Sequence, residues 1–238
     1  MKHAERRGLP FKGENAPRHW GIMKLAYVII GLPIMTLYRV KTRGLENVPD
    51  GPCIFAGNHT SYLDAPIIWS IMPKGPVHFV AKSELYDNPF FSWGLDNLGV
   101  LPVQRGTADR TMIARCKALL DAGERVAIFP EGSRGRERED FNEVGQAQNG
   151  AAFLAQHAKV PIVPVGIAGT DLIMPHGAKF PRFPQVTVNF GAPLHADDFE
   201  GGRREKLDAL TQATMKSIVA LRDSARGDKL TSHDEVNS

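Results

Sequence analysis

The sequence sets a histidine five positions ahead of an aspartate in the stretch Asn58-His59-Thr60-Ser61-Tyr62-Leu63-Asp64. A carboxylate held against one imidazole nitrogen fixes the tautomer and stabilises the cation, leaving the other nitrogen free to accept a proton. The pair has no serine or cysteine nucleophile beside it, so it suits activation of a hydroxyl that the substrate brings. On one continuous helix, five residues turn the chain by roughly 500°, leaving the two side chains about 140° apart. They meet only if His59 lies in a loop and Asp64 opens the helix that follows. A plainer reading stands beside this one. Ser61-x-x-Asp64 has the form of a capping box, in which Asp64 starts a helix and His59 is an ordinary loop residue.

The flanking residues supply the required elements. Cys53-Ile54-Phe55-Ala56 is a short apolar run between Gly51-Pro52 and Gly57, the pattern of a buried strand. Pro66 to Met72 is an apolar helical stretch. Further strands are predicted at Val77–Ala81, Gly99–Val103, Arg125–Phe129, within Val160–Ile167, and at Val186–Phe190. Helices are predicted at about 84–98 in part, 107–122, 147–157 and 203–222. The charged run Arg136–Glu143 is expected to be an exposed loop. Alternating strands and helices predict an α/β fold with a largely parallel sheet flanked by helices. Ligands of such sheets bind beyond the carboxyl ends of the strands. His59, Lys82, Arg105 and the run Glu131–Arg134 each follow a predicted strand, so four segments deliver polar groups to one edge.

Lys82, Arg105 and Arg134 together suit a phosphate: the two arginines through paired hydrogen bonds, the lysine as a point charge. Each alone is more simply a solvated charge. Glu131 is placed to accept a hydrogen bond from a substrate hydroxyl or to steer its loop, and Gly132 to let backbone approach a ligand. Ser133 does not form an esterase elbow, because Gly-x-Ser-x-Gly needs glycine where Glu131 stands. There is no P-loop or dinucleotide fingerprint.

The chain of 238 residues is 42% hydrophobic and 23% charged, which fits one α/β domain with appendages. The net charge is only +3, but Lys2, Arg6, Arg7, Lys12, Arg18 and Lys24 crowd the start against Glu5 and Glu14. No nucleic-acid-binding motif accompanies them, so an anionic membrane surface is the expected partner and nucleic acid is not. From Trp20 to Tyr38 the chain is apolar but interrupted by Lys24, Gly31 and Pro33. Its length is close to the about 20 residues that a span requires. Basic residues flank both ends, giving no orientation. The expectation is a helical segment that lies on or dips into the membrane, with both ends cytoplasmic. A helix buried in the core is the alternative. The two cysteines, Cys53 and Cys116, read as buried free thiols. Nothing has zinc-ligand spacing, so no metal is expected. The expected organisation is a basic N-terminus and membrane-associated segment over 1–43, an α/β domain over 44–224, and a disordered tail over 225–238.

Four blocks in order resemble the glycerolipid acyltransferases, most closely the 1-acyl-sn-glycerol-3-phosphate (lysophosphatidic acid) acyltransferases. Asn58 to Asp64 is similar to the NHxxxxD block and Gly99 to Arg105 to the GxxxxxR block. Phe129 to Arg134 is similar to FPEGTR, with Ser133 in the usual threonine place. Val160 to Val165 is similar to the closing VPIVPV block. The resemblance covers about residues 20–200. It implies a membrane-associated acyltransferase in which His59 is the general base and Asp64 orients it. Asn58, Lys82, Arg105, Glu131, Gly132, Ser133 and Arg134 are then the substrate-binding residues, the three cations holding the acceptor's phosphate. The co-substrate would be acyl-CoA or an acyl carrier protein thioester, with no resident cofactor, and the acceptor a lysophospholipid. The expected location is the cytoplasmic face of the cell membrane, monotopic or peripheral. Acyl transfer to glycerol 3-phosphate, another lysophospholipid or a glycolipid is the alternative within the class; a thioesterase, in which His59 activates water, is the alternative outside it.

Overall fold

A computed structural model describes residues 25–72, 77–88, 92, 95, 99–103, 110–130, 149–175 and 177–234. Arg105, Glu131, Gly132, Ser133 and Arg134, the charged run 136–143 and residues 1–24 lie outside them.

Among the described residues, seven strands form one sheet: β1 (Lys41–Arg43), β2 (Ile54–Gly57), β3 (Val77–Lys82), β4 (Leu101–Val103), β5 (Arg125–Ile128), β6 (Ile162–Ala168) and β7 (Thr187–Phe190). Their order is β1-β7-β6-β2-β5-β3-β4. Every pairing is parallel except β6 with β7. The exception has a local cause. Among the described residues, no α-helix separates β6 from β7, and a parallel return needs a crossover that is usually helical. Among the described residues, the longer helices of the domain are α2 (Asp64–Ile71), α3 (Arg110–Asp121), α4 (Gly150–Ala158) and α5 (Arg203–Asp234). The expected largely parallel α/β architecture is therefore the one observed.

Strand alternation divides the core between the two faces of the sheet. Phe55, Val163, Val165 and Ile167 point to the face covered by α2, where Ile67 and Ile68 are buried. Ile54, Ala56, Val126 and Ile162 point to the other face, against Leu120 of α3, Leu154 of α4, and Leu210 and Ile218 of α5. Cys116, Leu119 and Leu120 are buried and Ile113 is partly buried, so these residues form the inward face of α3. α5 meets β6 at Gly166, where a Cβ would collide with the backbone of Leu221 and Arg222. Both cysteines are buried and free, as expected.

Two elements depart from the expected pattern. β1 was not anticipated, because Lys41-Thr42-Arg43 is exposed throughout and carries no apolar signal. Its strand character comes from pairing with β7. The closing helix α5 continues to Asp234, past the residue 225 at which disorder was expected.

The N-terminal segment comprises a π-helical turn, Tyr27–Gly31, and α1 (Leu32–Leu37). It has two unlike faces. Ile34 and Tyr38 join the core, and the Tyr27 ring lies 6.3 Å from Trp69 of α2. Leu25, Val28, Ile29, Ile30, Leu32 and Leu37 are exposed. Among the described residues, no helix is long and apolar enough to cross a membrane.

Candidate active site

The site forms where β2 ends. Because β2, β3, β4, β5 and β6 run parallel, their carboxyl ends share one edge of the sheet. Gly57 closes β2, Asn58 and His59 follow, and Asp64 is the first residue of α2. His59 Nδ1 lies 2.8 Å from Asp64 Oδ2. With the carboxylate accepting, Nδ1 carries the proton and Nε2 is left with a lone pair. No described residue bonds Nε2. His59's side chain is 14% exposed and that of Asp64 is fully buried, so the ring has an open side while its orienting acid is shielded from water.

Asp64 Oδ2 also accepts hydrogen bonds from the backbone amides of Thr60 and Ser61, each at 2.8 Å. The same oxygen therefore folds the loop and orients the imidazole. Only half of the capping box forms, because Ser61 Oγ accepts from the Leu63 amide at 3.3 Å and the Asp64 amide bonds the Ser61 backbone carbonyl. A carboxylate in a first helical turn is further stabilised by the helix dipole and by free amides.

Three contacts fix the loop to its neighbours. The Asn58 side chain is 1% exposed and bonds the Ile167 backbone twice. Its Nδ2 donates to the Ile167 carbonyl at 2.9 Å, and its Oδ1 accepts from the Ile167 amide at 2.7 Å. Asn58, expected among the substrate-binding residues, is thus occupied in joining β2's end to β6. Thr60 Oγ1 lies 3.0 Å from Thr170 Oγ1, just beyond β6. Phe129, following β5, stacks on the His59 ring with centroids 4.1 Å apart and planes inclined by 13°.

Phe129 and Thr170 were not assigned site roles from the sequence. A signal for Phe129 does exist in hindsight of register: Ala56 pairs with Ile128, so Phe129 falls beside Gly57. A Cβ on Gly57 would stand 3.7 Å from the Phe129 ring and 3.3 Å from the Val165 carbonyl, a tight fit beside the stack. Lys82 is the last residue of β3 and so reaches the same sheet edge. The structure joins His59 and Asp64. Arg105, Glu131, Gly132, Ser133 and Arg134 fall outside the described residues, so the proposed cation trio is not described.

Burial raises the Cys53 thiol to about 12, an effect partly offset by the nearby Arg125 guanidinium. Cys53 is therefore protonated and unsuited to nucleophilic work near neutral pH.

With this geometry established, comparison with known proteins places the chain among its relatives. Residues 39–168 match the acyltransferase family. A chloroplastic 1-acyl-sn-glycerol-3-phosphate acyltransferase of Brassica napus is 31% identical over 160 residues, covering 65% of this chain and 44% of that protein. The chain thus spans about half the length of this plant relative. A 1-acyl-sn-glycerol-3-phosphate acyltransferase of Pseudomonas aeruginosa is 30% identical over 189 residues, covering 76% of this chain and 70% of that protein. The crystal structure of PlsC, the 1-acyl-sn-glycerophosphate acyltransferase of Thermotoga maritima, superposes with a TM-score of 0.65 at 23% identity, covering 89% of this chain and 86% of that one. That likeness concerns the fold. The family match over more than half of the chain shows that the protein belongs to the acyltransferase family.

Proposed function

We propose that the protein is a 1-acylglycerol-3-phosphate O-acyltransferase, moving a fatty acyl group from a thioester to the free hydroxyl of 1-acylglycerol 3-phosphate and forming phosphatidic acid. The observation that carries the reading is the 2.8 Å contact between His59 Nδ1 and Asp64 Oδ2 at the carboxyl edge of the sheet. The relatives named above supply the acceptor.

In the proposed reaction His59 Nε2 takes the proton of the acceptor hydroxyl as its oxygen attacks the thioester carbonyl. The buried Asp64 carboxylate stabilises the imidazolium that forms. The tetrahedral intermediate collapses with cleavage of the carbon–sulfur bond, and the imidazolium returns its proton to the departing thiolate. The product is an ester and a free thiol, with no covalent enzyme intermediate and no resident cofactor. The donor is acyl-CoA or an acyl carrier protein thioester. Lys82, Arg105 and Arg134 bind the acceptor's phosphate, while Glu131, Gly132 and Ser133 help to seat its glycerol unit.

We further propose that the N-terminal segment rests on an anionic membrane at its cytoplasmic face. Its six exposed aliphatic side chains, Leu25, Val28, Ile29, Ile30, Leu32 and Leu37, suit insertion at an interface. A lysophospholipid acceptor partitions into membrane, so this position brings it to the catalytic edge.

The test is acyl transfer to a panel of acceptors: 1-acylglycerol 3-phosphate, glycerol 3-phosphate, other lysophospholipids and water. Labelled phosphatidic acid as the principal product is expected. Free fatty acid as the principal product would identify a thioesterase and overturn the proposal.

A further inference from the structure

The loop between β6 and β7 presents a second apolar surface that the catalytic reading does not use. Phe180 is 79% exposed, and Phe183, Leu172 and Met174 are also exposed. The loop is held in this shape by its own contacts. Ile173 is buried in the core between the two outward residues. The Arg182 amide bonds the Ile173 carbonyl at 2.7 Å, and the Ala178 amide bonds the Pro175 carbonyl at 3.0 Å. Pro181 and Pro184 restrict the backbone beside the two phenylalanines. Phe180 is therefore held outward by a defined fold of the loop.

Charge accompanies the exposed rings. From Thr170 to Val186 the sequence has one acid, Asp171, against Lys179 and Arg182. Asp171 faces Arg226 of α5 at 3.5 Å, which offsets its charge. Lys179 and Arg182 are exposed, as are Arg39 and Lys41 where the neighbouring chain enters β1. Aromatic rings among basic side chains match an interface of acyl chains beneath anionic headgroups.

Position supplies the third argument. The loop leaves β6 at Thr170, bonded to Thr60 of the catalytic loop. It returns to β7 through a bond from the Val186 amide to the Tyr38 carbonyl at 2.9 Å. Phe183's ring lies 5.7 Å from that of Tyr38, and Arg39 Nη2 donates to the Phe183 carbonyl at 2.7 Å. Because β7 runs antiparallel to β6, this junction lies at the same sheet edge as His59. The apolar loop thus joins the catalytic loop at one end and the root of the N-terminal segment at the other.

We infer that the β6–β7 loop is a second membrane contact, with Phe180 and Phe183 entering an anionic bilayer and Lys179 and Arg182 meeting its headgroups. The inference rests on the interfacial reading of the N-terminal segment proposed above. Two contacts flanking the catalytic edge would set its height and tilt at the bilayer, which one segment alone leaves free.

The experiment uses the full chain with an environment-sensitive thiol probe at Phe180→Cys or, separately, at Val28→Cys. The native Cys53 and Cys116 are fully buried and do not compete for the probe. Both probes are expected to shift to the blue and resist aqueous quenchers on phosphatidylglycerol vesicles. Unlabelled Phe180→Ser should bind these vesicles about tenfold more weakly. Lys179→Glu with Arg182→Glu should lose roughly twentyfold on phosphatidylglycerol vesicles and little on phosphatidylcholine. A shift at 28 without one at 180 overturns the loop contact and leaves the N-terminal anchor standing. Absence of both shifts overturns both. A shift at 180 that follows protein concentration without vesicles assigns the loop to contact between copies and overturns the inference. None of these readings depends on acyl transfer, so loss of the proposed reaction would not alter them.

Discussion

Phe129 lies flat against the His59 imidazole, their ring centroids 4.1 Å apart and their planes 13° from parallel. A second constraint comes from Asp64, whose Oδ2 holds Nδ1 at 2.8 Å. One contact fixes the plane of the base, and the other fixes its rotation and tautomer. A ring so held needs little reorganisation when it gains a proton, and the face of a phenyl ring favours the cation that results.

Phe129→Leu should therefore lower kcat several-fold, the equivalent of about 0.5–1.5 kcal/mol for an aromatic pair. The acceptor's KM should change little, because Phe129 acts through His59. Steady-state kinetics check this: a raised KM with unchanged kcat would show that Phe129 binds substrate and does not position the base.

Asp64→Asn keeps the side chain's size but loses the carboxylate. It should lower kcat by about 10–10², because the asparagine carbonyl in the place of Oδ2 still accepts from Nδ1–H but carries no charge to stabilise the imidazolium, and a neutral hydrogen bond is roughly half as strong as a charge-assisted one. Two backbone amides also bond the Asp64 oxygen, and the asparagine carbonyl can still accept from them. The circular dichroism spectrum should therefore remain native. Activity within about twofold of the unsubstituted protein would contradict the orienting role.

Asn58→Ala removes both partners of the Ile167 backbone at a site that is 1% exposed. Each buried group left without a partner costs about 1–3 kcal/mol, so the loss of unfolding free energy should be roughly 2–6 kcal/mol. Urea denaturation measures it, with a change below about 0.5 kcal/mol contradicting the clamp. Activity should fall as well, because the residue adjoining His59 is no longer tied to β6.

The contrast between Asn58 and His59 shows what was legible in the sequence. His59 and Asp64 are close along the chain, and the change from an apolar run to a helical pattern told how they meet. Asn58's partner is 109 positions away, and their contact depends on β6 lying beside β2, which no local pattern records. The Phe129 stack is hidden for the same reason: it requires the register of β5 on β2. The strands themselves were readable because buried parallel strands are apolar runs between turn residues. β1 was not, since Lys41-Thr42-Arg43 is a strand only through its partner. The polar end of α5 looked disordered from composition alone, yet its helix continues to Asp234.

Cys53 offers a pH test independent of catalysis. Its thiol is raised from 9.0 to about 12 in the folded protein. Between these values the unfolded chain has released the proton that the folded chain retains, so stability falls as pH rises through this window. Below pH 9 the effect is absent, and by pH 11 it should approach about 2–3 kcal/mol. Denaturation from pH 8 to 11 should show wild type losing more stability than Cys53→Ala. Parallel pH profiles would contradict the assignment.

The most direct test of the central claim is the initial rate of phosphatidic acid formation from acyl-CoA or an acyl carrier protein thioester and 1-acylglycerol 3-phosphate. It should be measured for the unsubstituted protein and for His59→Ala. The unsubstituted protein should form phosphatidic acid, and His59→Ala should lose at least about 10²–10⁴-fold of that rate with a native circular dichroism spectrum. A folded His59→Ala protein that turns over within about twofold of the unsubstituted rate would contradict it.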